Sequence, residues 1–178
     1  MSRLPTLPLA DAPEAARPLF EQIRRAAGMV PNAYAAIGAH SPAALALMLG
    51  GDGALARGTL SKADIEAVRL AISAQNGCDY CVAAHSMLAG KAGLKPEALH
   101  ALRTGEPTGD ERRDALVHFA RATAGTRGTV PEAELQAVLA AGFTPAQVTD
   151  TLLVISLITF TNLFNRVNDT VIDFPTPA

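Results

Sequence analysis

The 178-residue sequence lacks tryptophan, and aromatic residues make up only 4% of it. A core has to be built instead from small and aliphatic residues, and alanine alone accounts for about a fifth of the chain. Alanine has the highest intrinsic helix propensity, whereas the β-branched and aromatic runs typical of strands are scarce here. The composition therefore predicts closely packed helices, and the length fits one domain.

Runs of basic residues are also missing, since 15 Lys and Arg stand against 17 Asp and Glu and give a formal net charge of -2. Proteins that bind nucleic acid or anionic lipid usually carry a basic patch or stripe. We therefore expect neither nucleic acid nor a membrane as a partner.

No segment has the pattern of a signal peptide or the length of a membrane span. Pro5 and Pro8 interrupt the N-terminal region, where a signal peptide needs a continuous apolar stretch. The most apolar segment, residues 151–165, is bounded by Asp150 and Arg166 and is shorter than the roughly 20 residues that cross a bilayer. These features predict a cytoplasmic protein with a buried helix at 151–165. Because this helix is apolar on nearly every side, it is predicted to lie centrally or at a subunit interface.

Helix start and stop signals recur along the chain, and no segment has the pattern of a strand. Ser61 is predicted to cap a helix that ends at Asn76 and Gly77, and residues 50–53, rich in glycine, are predicted to break an earlier helix. The sequence thus predicts an all-α fold, with helices at 13–27, 33–39, 42–49, 62–76, 78–90, 95–103, 110–124, 131–141 and 144–171.

Residues 61–73 resemble residues 144–156 in their capping residue, apolar spacing and closing Ile-Ser pair. A duplicated helical scaffold explains this similarity, although two capped amphipathic helices can also resemble each other by chance. The related segment, about 144–170, is predicted to carry no chemistry of its own. It has Thr149, Thr161, Phe164 and Asn168 where the first copy has Glu66, Cys78, Cys81 and His85.

The two cysteines belong to the most informative pattern, Glu66-x11-Cys78-x2-Cys81-x3-His85. On a helix, Cys78, Cys81 and His85 fall within an arc of roughly 60° and share one face. Cysteines three residues apart on a helix are close enough for a disulfide, so the pair can open and close without refolding the helix. The spacing favours a redox-active disulfide between Cys78 and Cys81.

The residues around the cysteines favour ionisation of a thiol. The break at Gly77 puts Cys78 in a first helical turn, where free N–H groups and the helix dipole favour a thiolate. His85 lies one turn beyond Cys81 and leans toward its sulfur. If the chain folds back at Gly77, Glu66 lies at the height of His85 and can stabilise its imidazolium. We therefore predict a proton relay from Glu66 through His85 to Cys81.

Two other interpretations of the cysteine pair remain open at this point. A structural zinc site usually needs four ligands, and no second pair accompanies Cys78 and Cys81, so we expect neither a metal nor another cofactor. The two thiols could also be inert core residues. Tyr80, between the cysteines, is assigned to packing or to the wall of the site.

Glu66, Cys78, Cys81 and His85 at these spacings resemble the signature of the alkylhydroperoxidase D-like branch of the carboxymuconolactone decarboxylase family. The resemblance implies thiol-dependent reduction of hydroperoxides. Cys81 would attack the peroxide, Cys78 would resolve the sulfenic acid as a disulfide, and His85, polarised by Glu66, would act as the base. A dithiol donor such as lipoamide or a thioredoxin-like protein would reduce the disulfide, often in service of a peroxiredoxin.

The similarity to this branch extends from residues 28–32 to residues 162–168 and is strongest at about 60–90. It implies a single all-helical domain, residues 1–178, with two related helical halves that assembles into homo-trimers or homo-hexamers. The best-known members have a histidine where this chain has Tyr80, which implies a less complete relay and weaker peroxide activity. The decarboxylase branch lacks the cysteine pair, so lactone decarboxylation is not expected.

The predicted function is therefore that of a cofactor-free, thiol-dependent peroxidase. The alternative is a redox-responsive helical scaffold or a disulfide reductase, in which the Cys78–Cys81 bond toggles with oxidant but little peroxide is turned over.

Overall fold

The computed structural model describes residues 2–5 and 7–177. Within these residues the chain forms nine α-helices, two 3-10 helices and no strand, which confirms the predicted all-α fold class. The 3-10 helices are Leu9–Asp11 and Glu14–Ala16. The α-helices are α1 (Arg17–Ala27), α2 (Asn32–His40), α3 (Pro42–Ala56), α4 (Lys62–Gln75), α5 (Asp79–Lys91), α6 (Pro96–Thr104), α7 (Glu111–Thr126), α8 (Glu132–Ala140) and α9 (Pro145–Asn168).

Polar caps set several of these boundaries close to the predicted ones. Ser61 Oγ accepts a hydrogen bond from the backbone N–H of Asp64 at 3.0 Å, at the start of α4. Thr144 and Gln147 form a capping box at the start of α9. Such caps give a partner to N–H groups of the first turn that have none inside the helix.

The predicted helix break at residues 50–53 is wrong, because α3 continues through them to Ala56. The glycines allow close packing there: a Cβ on Gly51 would lie only 2.8 Å from the side chain of Leu157 in α9. The missing side chain thus lets α3 approach α9. The same stretch of helix carries Asp52, which forms an ion pair with α4.

The helix α4 forms the centre of the bundle and packs against α5, α6, α7 and α9. Nine of its 14 residues are buried, and Val68, Leu70 and Ile72 have no exposed surface. The next helix, α5, follows after a short turn at Asn76 and Gly77, so that α4 and α5 form a helical hairpin. This hairpin contains all four residues of the sequence motif.

Like α4, the helix α9 begins with a side-chain cap, but α4 ends after 14 residues and α9 is longer. It is 24 residues long, and by length and composition it is the one described helix that could cross a membrane, with 28% of its most apolar window buried. Its inner face packs against α4. The outer face exposes Leu152, Leu153, Phe160, Leu163 and Val167, so α9 is not enclosed within the single chain. The other predicted location, a subunit interface, stays a prediction.

Candidate redox site

The turn between α4 and α5 brings the two cysteines to one end of the hairpin. Gly77 reverses the chain with a positive φ of 63°. A side chain there would be strained, and its Cβ would lie 3.0 Å from Nη1 of Arg166. Cys78 caps α5 instead of lying inside its first turn, and its Sγ accepts a hydrogen bond from the backbone N–H of Cys81 at 3.4 Å.

The two sulfur atoms lie against each other inside the core. Cys78 Sγ donates a hydrogen bond to Cys81 Sγ at 2.7 Å, and both cysteines are free thiols. Only 1% of Cys78 and 2% of Cys81 is exposed. The pair can therefore form a disulfide with little movement of the backbone and is shielded from bulk solvent.

The two thiols differ in how readily they ionise. The hydrogen bond from Cys78 lowers the pKa of Cys81 to about 6, against the effect of burial and with further help from Asn165 and His85. The same hydrogen bond between the two sulfurs, together with burial, raises the pKa of Cys78. The N–H of Cys81 acts on Cys78 in the predicted direction, but its effect is smaller. Cys81, and not the helix-capping Cys78, is therefore the thiolate near neutral pH.

Glu66 and His85 meet across the hairpin. His85 Nδ1 lies 2.7 Å from Glu66 Oε2, and Glu66 is only 4% exposed. Burial alone would raise the pKa of Glu66, but His85 and Arg69 together outweigh burial and lower it. Glu66 therefore remains a carboxylate, and its bond orients the His85 ring, whose charge acts on Cys81.

Two charged residues that the sequence analysis missed extend this pair. Arg69 Nη1 donates to Glu66 Oε1 at 2.9 Å, and Arg69 Nη2 donates to Asp52 Oδ1 at 2.5 Å. Burial would lower the pKa of Arg69, but the two carboxylates outweigh burial and raise it. Asp52, Arg69 and Glu66 thus form a row of alternating charge, and His85 is hydrogen-bonded to its end at Glu66. The spacing of Arg69 from Glu66 was a usable signal, since residues three apart pair on a helix.

The helix α9 supplies two buried asparagines to the sulfur side of the site. Asn165 Nδ2 donates to Cys81 Sγ at 3.3 Å. Asn162 Nδ2 donates to Ser73 Oγ at 3.2 Å, and its Oδ1 accepts a hydrogen bond from Asn76 at 2.9 Å. Both asparagines lower the pKa of Cys81, so the second copy, which lacks the motif, still contributes side chains to the site. Asn165 is 84 positions from Cys81, and no local spacing links them.

Tyr80 bonds to groups other than the two sulfurs. Its hydroxyl donates to Asp173 Oδ1 at 2.7 Å and accepts a hydrogen bond from the N–H of Ala33 at 3.1 Å. Its ring meets that of Phe174 edge to face, with the centroids 5.5 Å apart. Burial raises the pKa of Tyr80. The residue between the cysteines therefore joins α5 to α2 and to the C-terminal segment.

A cleft of about 440 Å³ opens beside the turn between α4 and α5. Asn162 in α9, which accepts a hydrogen bond from Asn76 of this turn, belongs to its lining. The cleft therefore lies beside the turn that leads into Cys78. Its other lining residues are Arg3, Asn76, Thr159, Leu163, Arg166 and Val167.

The ionisable side chains of the site are paired with one another. Across residues 2–5 and 7–177, no group of three His, Cys, Asp or Glu side chains is placed to hold a metal ion. The arrangement provides a thiolate, a protonated thiol and a carboxylate-bound imidazole, which is the set of groups that thiol redox chemistry needs.

Residues 39–122, which include the whole α4–α5 hairpin, match the model of the carboxymuconolactone decarboxylase family. An uncharacterised peroxidase-related protein from Ralstonia eutropha JMP134, described as an alkylhydroperoxidase AhpD core, has a similar structure. The TM-score is 0.85 and the identity 26%, over 97% of this chain and 92% of that chain. The resemblance to the alkylhydroperoxidase D-like branch of this family is thereby confirmed.

Other solved structures share the alkylhydroperoxidase D-like fold at lower identity. A peroxidase-related protein from Silicibacter sp. TM1040 has a TM-score of 0.81 and 23% identity, over 96% of this chain and 91% of that chain. The debrominase Bmp8, solved with 2,3,4-tribromopyrrole, has a TM-score of 0.77 and 18% identity, over 97% of this chain and 94% of that chain. A search of curated proteins returns no match.

Proposed function

We propose that the protein is a thiol-dependent peroxidase that reduces hydroperoxides at Cys81 and uses Cys78 as the resolving thiol. The observation that carries the proposal is the 2.7 Å contact between a sulfur that ionises readily and one that keeps its proton. The peroxidase-related description of the Ralstonia eutropha protein supports this activity. The cysteine pair favours it over lactone decarboxylation, the reaction that names the family.

In the first step, the Cys81 thiolate attacks the terminal oxygen of a hydroperoxide. A sulfur–oxygen bond forms as the oxygen–oxygen bond breaks, so the sulfur is oxidised to a sulfenic acid and the peroxide is reduced. The leaving alkoxide takes a proton from His85, which received it when Cys81 ionised. Glu66 stabilises the charged ring between these two transfers through the 2.7 Å hydrogen bond.

In the second step, the Cys78 sulfur attacks the sulfenic acid, the disulfide forms, and the hydroxyl group leaves as water with the Cys78 proton. A dithiol then reduces the disulfide by thiol exchange. We assign that role to a lipoamide-type or thioredoxin-like donor, with a peroxiredoxin as a further partner in the cytoplasm.

Steady-state consumption of tert-butyl hydroperoxide, with dihydrolipoamide as the electron donor, tests the proposal. A peroxidase consumes many equivalents of hydroperoxide per chain. A redox-responsive scaffold would form one disulfide per chain and stop, and a disulfide reductase would reduce small disulfides without consuming peroxide. Either of these two results would refute peroxidase activity.

Replacing Glu66 by Gln is expected to move the pH profile of Cys81 alkylation to higher pH. The carboxylate holds His85, whose charge lowers the pKa of Cys81, and the neutral amide removes this support. In the unmodified protein, iodoacetamide labelling of Cys81 should rise through a pH of about 6 and then level off, because the thiolate reacts. Peptide mass spectrometry measures the labelling rate.

The control for this experiment is Glu21→Gln in α1. Glu21 is an exposed residue that pairs with Arg25, and its loss should leave the Cys81 profile where it was. If Glu66→Gln also leaves the profile unchanged, Glu66 is not part of the relay.

We also propose that the exposed apolar face of α9 is covered by further copies of the chain in a homo-trimer or homo-hexamer. Light scattering after size-exclusion chromatography should then give three or six times the chain mass of 18.5 kDa. Leu163→Asp should shift the mass toward the monomer, because Leu163 is 61% exposed in the single chain and a buried charge would oppose contact. Ala133→Asp, on the exposed surface of α8, is the control. A monomeric protein, or an assembly that Leu163→Asp leaves intact, would refute this interface.

A further inference from the structure

The side-chain amide of Asn165 makes a hydrogen bond through its nitrogen but not through its oxygen. Asn165 is 4% exposed, and its Nδ2 donates to Cys81 Sγ at 3.3 Å. Its Oδ1 is buried and has no hydrogen-bond partner among the described residues. The other two buried asparagines of α9 differ, because Asn162 Oδ1 accepts from Asn76 and Asn168 Oδ1 accepts from the N–H of Leu4.

The orientation of this amide follows from the charge on its partner. A thiolate accepts hydrogen bonds and cannot donate one, so the NH₂ group of Asn165 has to face the sulfur of an ionised Cys81. The oxygen of the amide is then left without a donor. Folded proteins rarely bury a polar oxygen without a partner, and this one is free to accept a hydrogen bond from a ligand that reaches the adjacent nucleophile.

A hydroperoxide has the chemistry that fits this oxygen. Its only O–H group is on the oxygen that the thiolate attacks. When that oxygen contacts Cys81 Sγ, it lies next to the amide that is hydrogen-bonded to the same sulfur. We propose that Asn165 Oδ1 accepts the O–H proton of the incoming hydroperoxide and so forms a specific subsite for oxidants of the form ROOH.

This inference rests on the peroxidase activity proposed above and adds a basis for substrate selection. The hydroxyl proton stays on the transferred oxygen throughout the step, while the alkoxide takes its proton from His85. The same bond to Asn165 Oδ1 therefore holds the O–H of the Cys81 sulfenic acid until Cys78 attacks. Dialkyl peroxides and disulfides have no O–H group, so Asn165 Oδ1 gives them no such support.

The test compares two electrophiles in single turnover with Asn165→Leu and Asn165→Ala. One is tert-butyl hydroperoxide, and the other is methyl methanethiosulfonate, which also reacts with a thiolate but has neither O–H nor N–H groups. Both rates are measured at Cys81 by quenching and mass spectrometry. The pH is chosen for each variant so that Cys81 is fully ionised, because loss of Asn165 Nδ2 is expected to raise the pKa of Cys81.

The expected result is a loss of about tenfold or more in the hydroperoxide rate, with the thiosulfonate rate within about twofold of the original. Agreement between the Leu variant, which fills the site, and the Ala variant, which opens it, separates the missing acceptor from a steric effect. The matched control is Asn162→Ala, which removes a neighbouring amide whose oxygen is already paired. It should change both rates by the same factor.

Two results would overturn the assignment of Asn165. One is an unchanged hydroperoxide rate in both variants, and the other is an equal loss of both rates, which a merely structural role produces. A different result would refute the underlying peroxidase proposal instead. In that case the unmodified protein would react with methyl methanethiosulfonate at Cys81 but not with the hydroperoxide.

Discussion

Cys81→Ser is expected to lower hydroperoxide turnover by at least about a thousandfold, because a serine hydroxyl in this setting does not ionise. The reaction depends on a thiolate, and the surroundings of Cys81 lower its pKa to about 6. No other cysteine can replace it, since the only other one in the chain is Cys78, whose pKa is raised. Loss of tert-butyl hydroperoxide over time, with excess dithiol present, measures the effect.

Cys78→Ser is the matched variant, because it removes the second sulfur and leaves the attacking one. It should still consume about one equivalent of hydroperoxide and then stop with a sulfenic acid on Cys81, which a dimedone adduct identifies by mass. If Cys81→Ser keeps its turnover, or if that variant forms the dimedone adduct on Cys78, the two roles are assigned wrongly.

Arg69→Met is expected to lower the free energy of unfolding by about 3 kcal/mol, the cost typical of breaking a buried ion pair from one side. Methionine has a similar length, so the space is filled, but Glu66 and Asp52 then face each other without the cation between them. Urea unfolding at neutral pH, followed by circular dichroism, measures the loss.

The loss on replacing Arg69 should depend on pH in a defined direction. His85 and Arg69 outweigh burial and lower the pKa of Glu66 below its ordinary value of 4.5. The Glu66 carboxylate therefore stabilises the fold above that pH, and this contribution is lost as the pH falls. The difference between the Arg69→Met variant and the unmodified protein should therefore shrink in acid. Arg25→Met, which breaks an exposed pair with Glu21, is the control and should cost less than about 0.5 kcal/mol. An equally small cost for Arg69→Met would contradict the role given to this row of charges.

The sequence was sufficient where the relevant contacts are local. Ser61 caps α4 as predicted, and the fold-back at Gly77 brings α4 and α5 into a hairpin. In such a hairpin, residues equally far from the turn lie opposite each other, and counting positions was enough to bring Glu66 and His85 to the same height. The all-α class follows similarly from composition and helix punctuation.

The sequence failed where a partner distant along the chain decides the outcome. Glycines at 50–53 can end a helix or allow close packing, and only the presence of Leu157 against Gly51 decides between the two. The predicted break also placed Asp52 outside a helix, so its ion pair with Arg69 was not predicted. The ionisation of Cys78 was misjudged for a related reason: the helix end acts on it as expected, but burial and the neighbouring sulfur act more strongly.

The hydrogen bonds of Tyr80 limit how this motif can be transferred to another protein. Asp173 accepts hydrogen bonds from the Tyr80 hydroxyl at 2.7 Å and from the N–H of Asn32 at 2.8 Å, and it lies well beyond the family segment that ends at residue 122. The hairpin that carries the Cys-x2-Cys motif therefore cannot be transferred to another protein by itself. A hairpin grafted into another protein would leave the buried Tyr80 hydroxyl without its hydrogen-bond partners. An engineered copy therefore has to include the C-terminal segment or replace Tyr80 by phenylalanine.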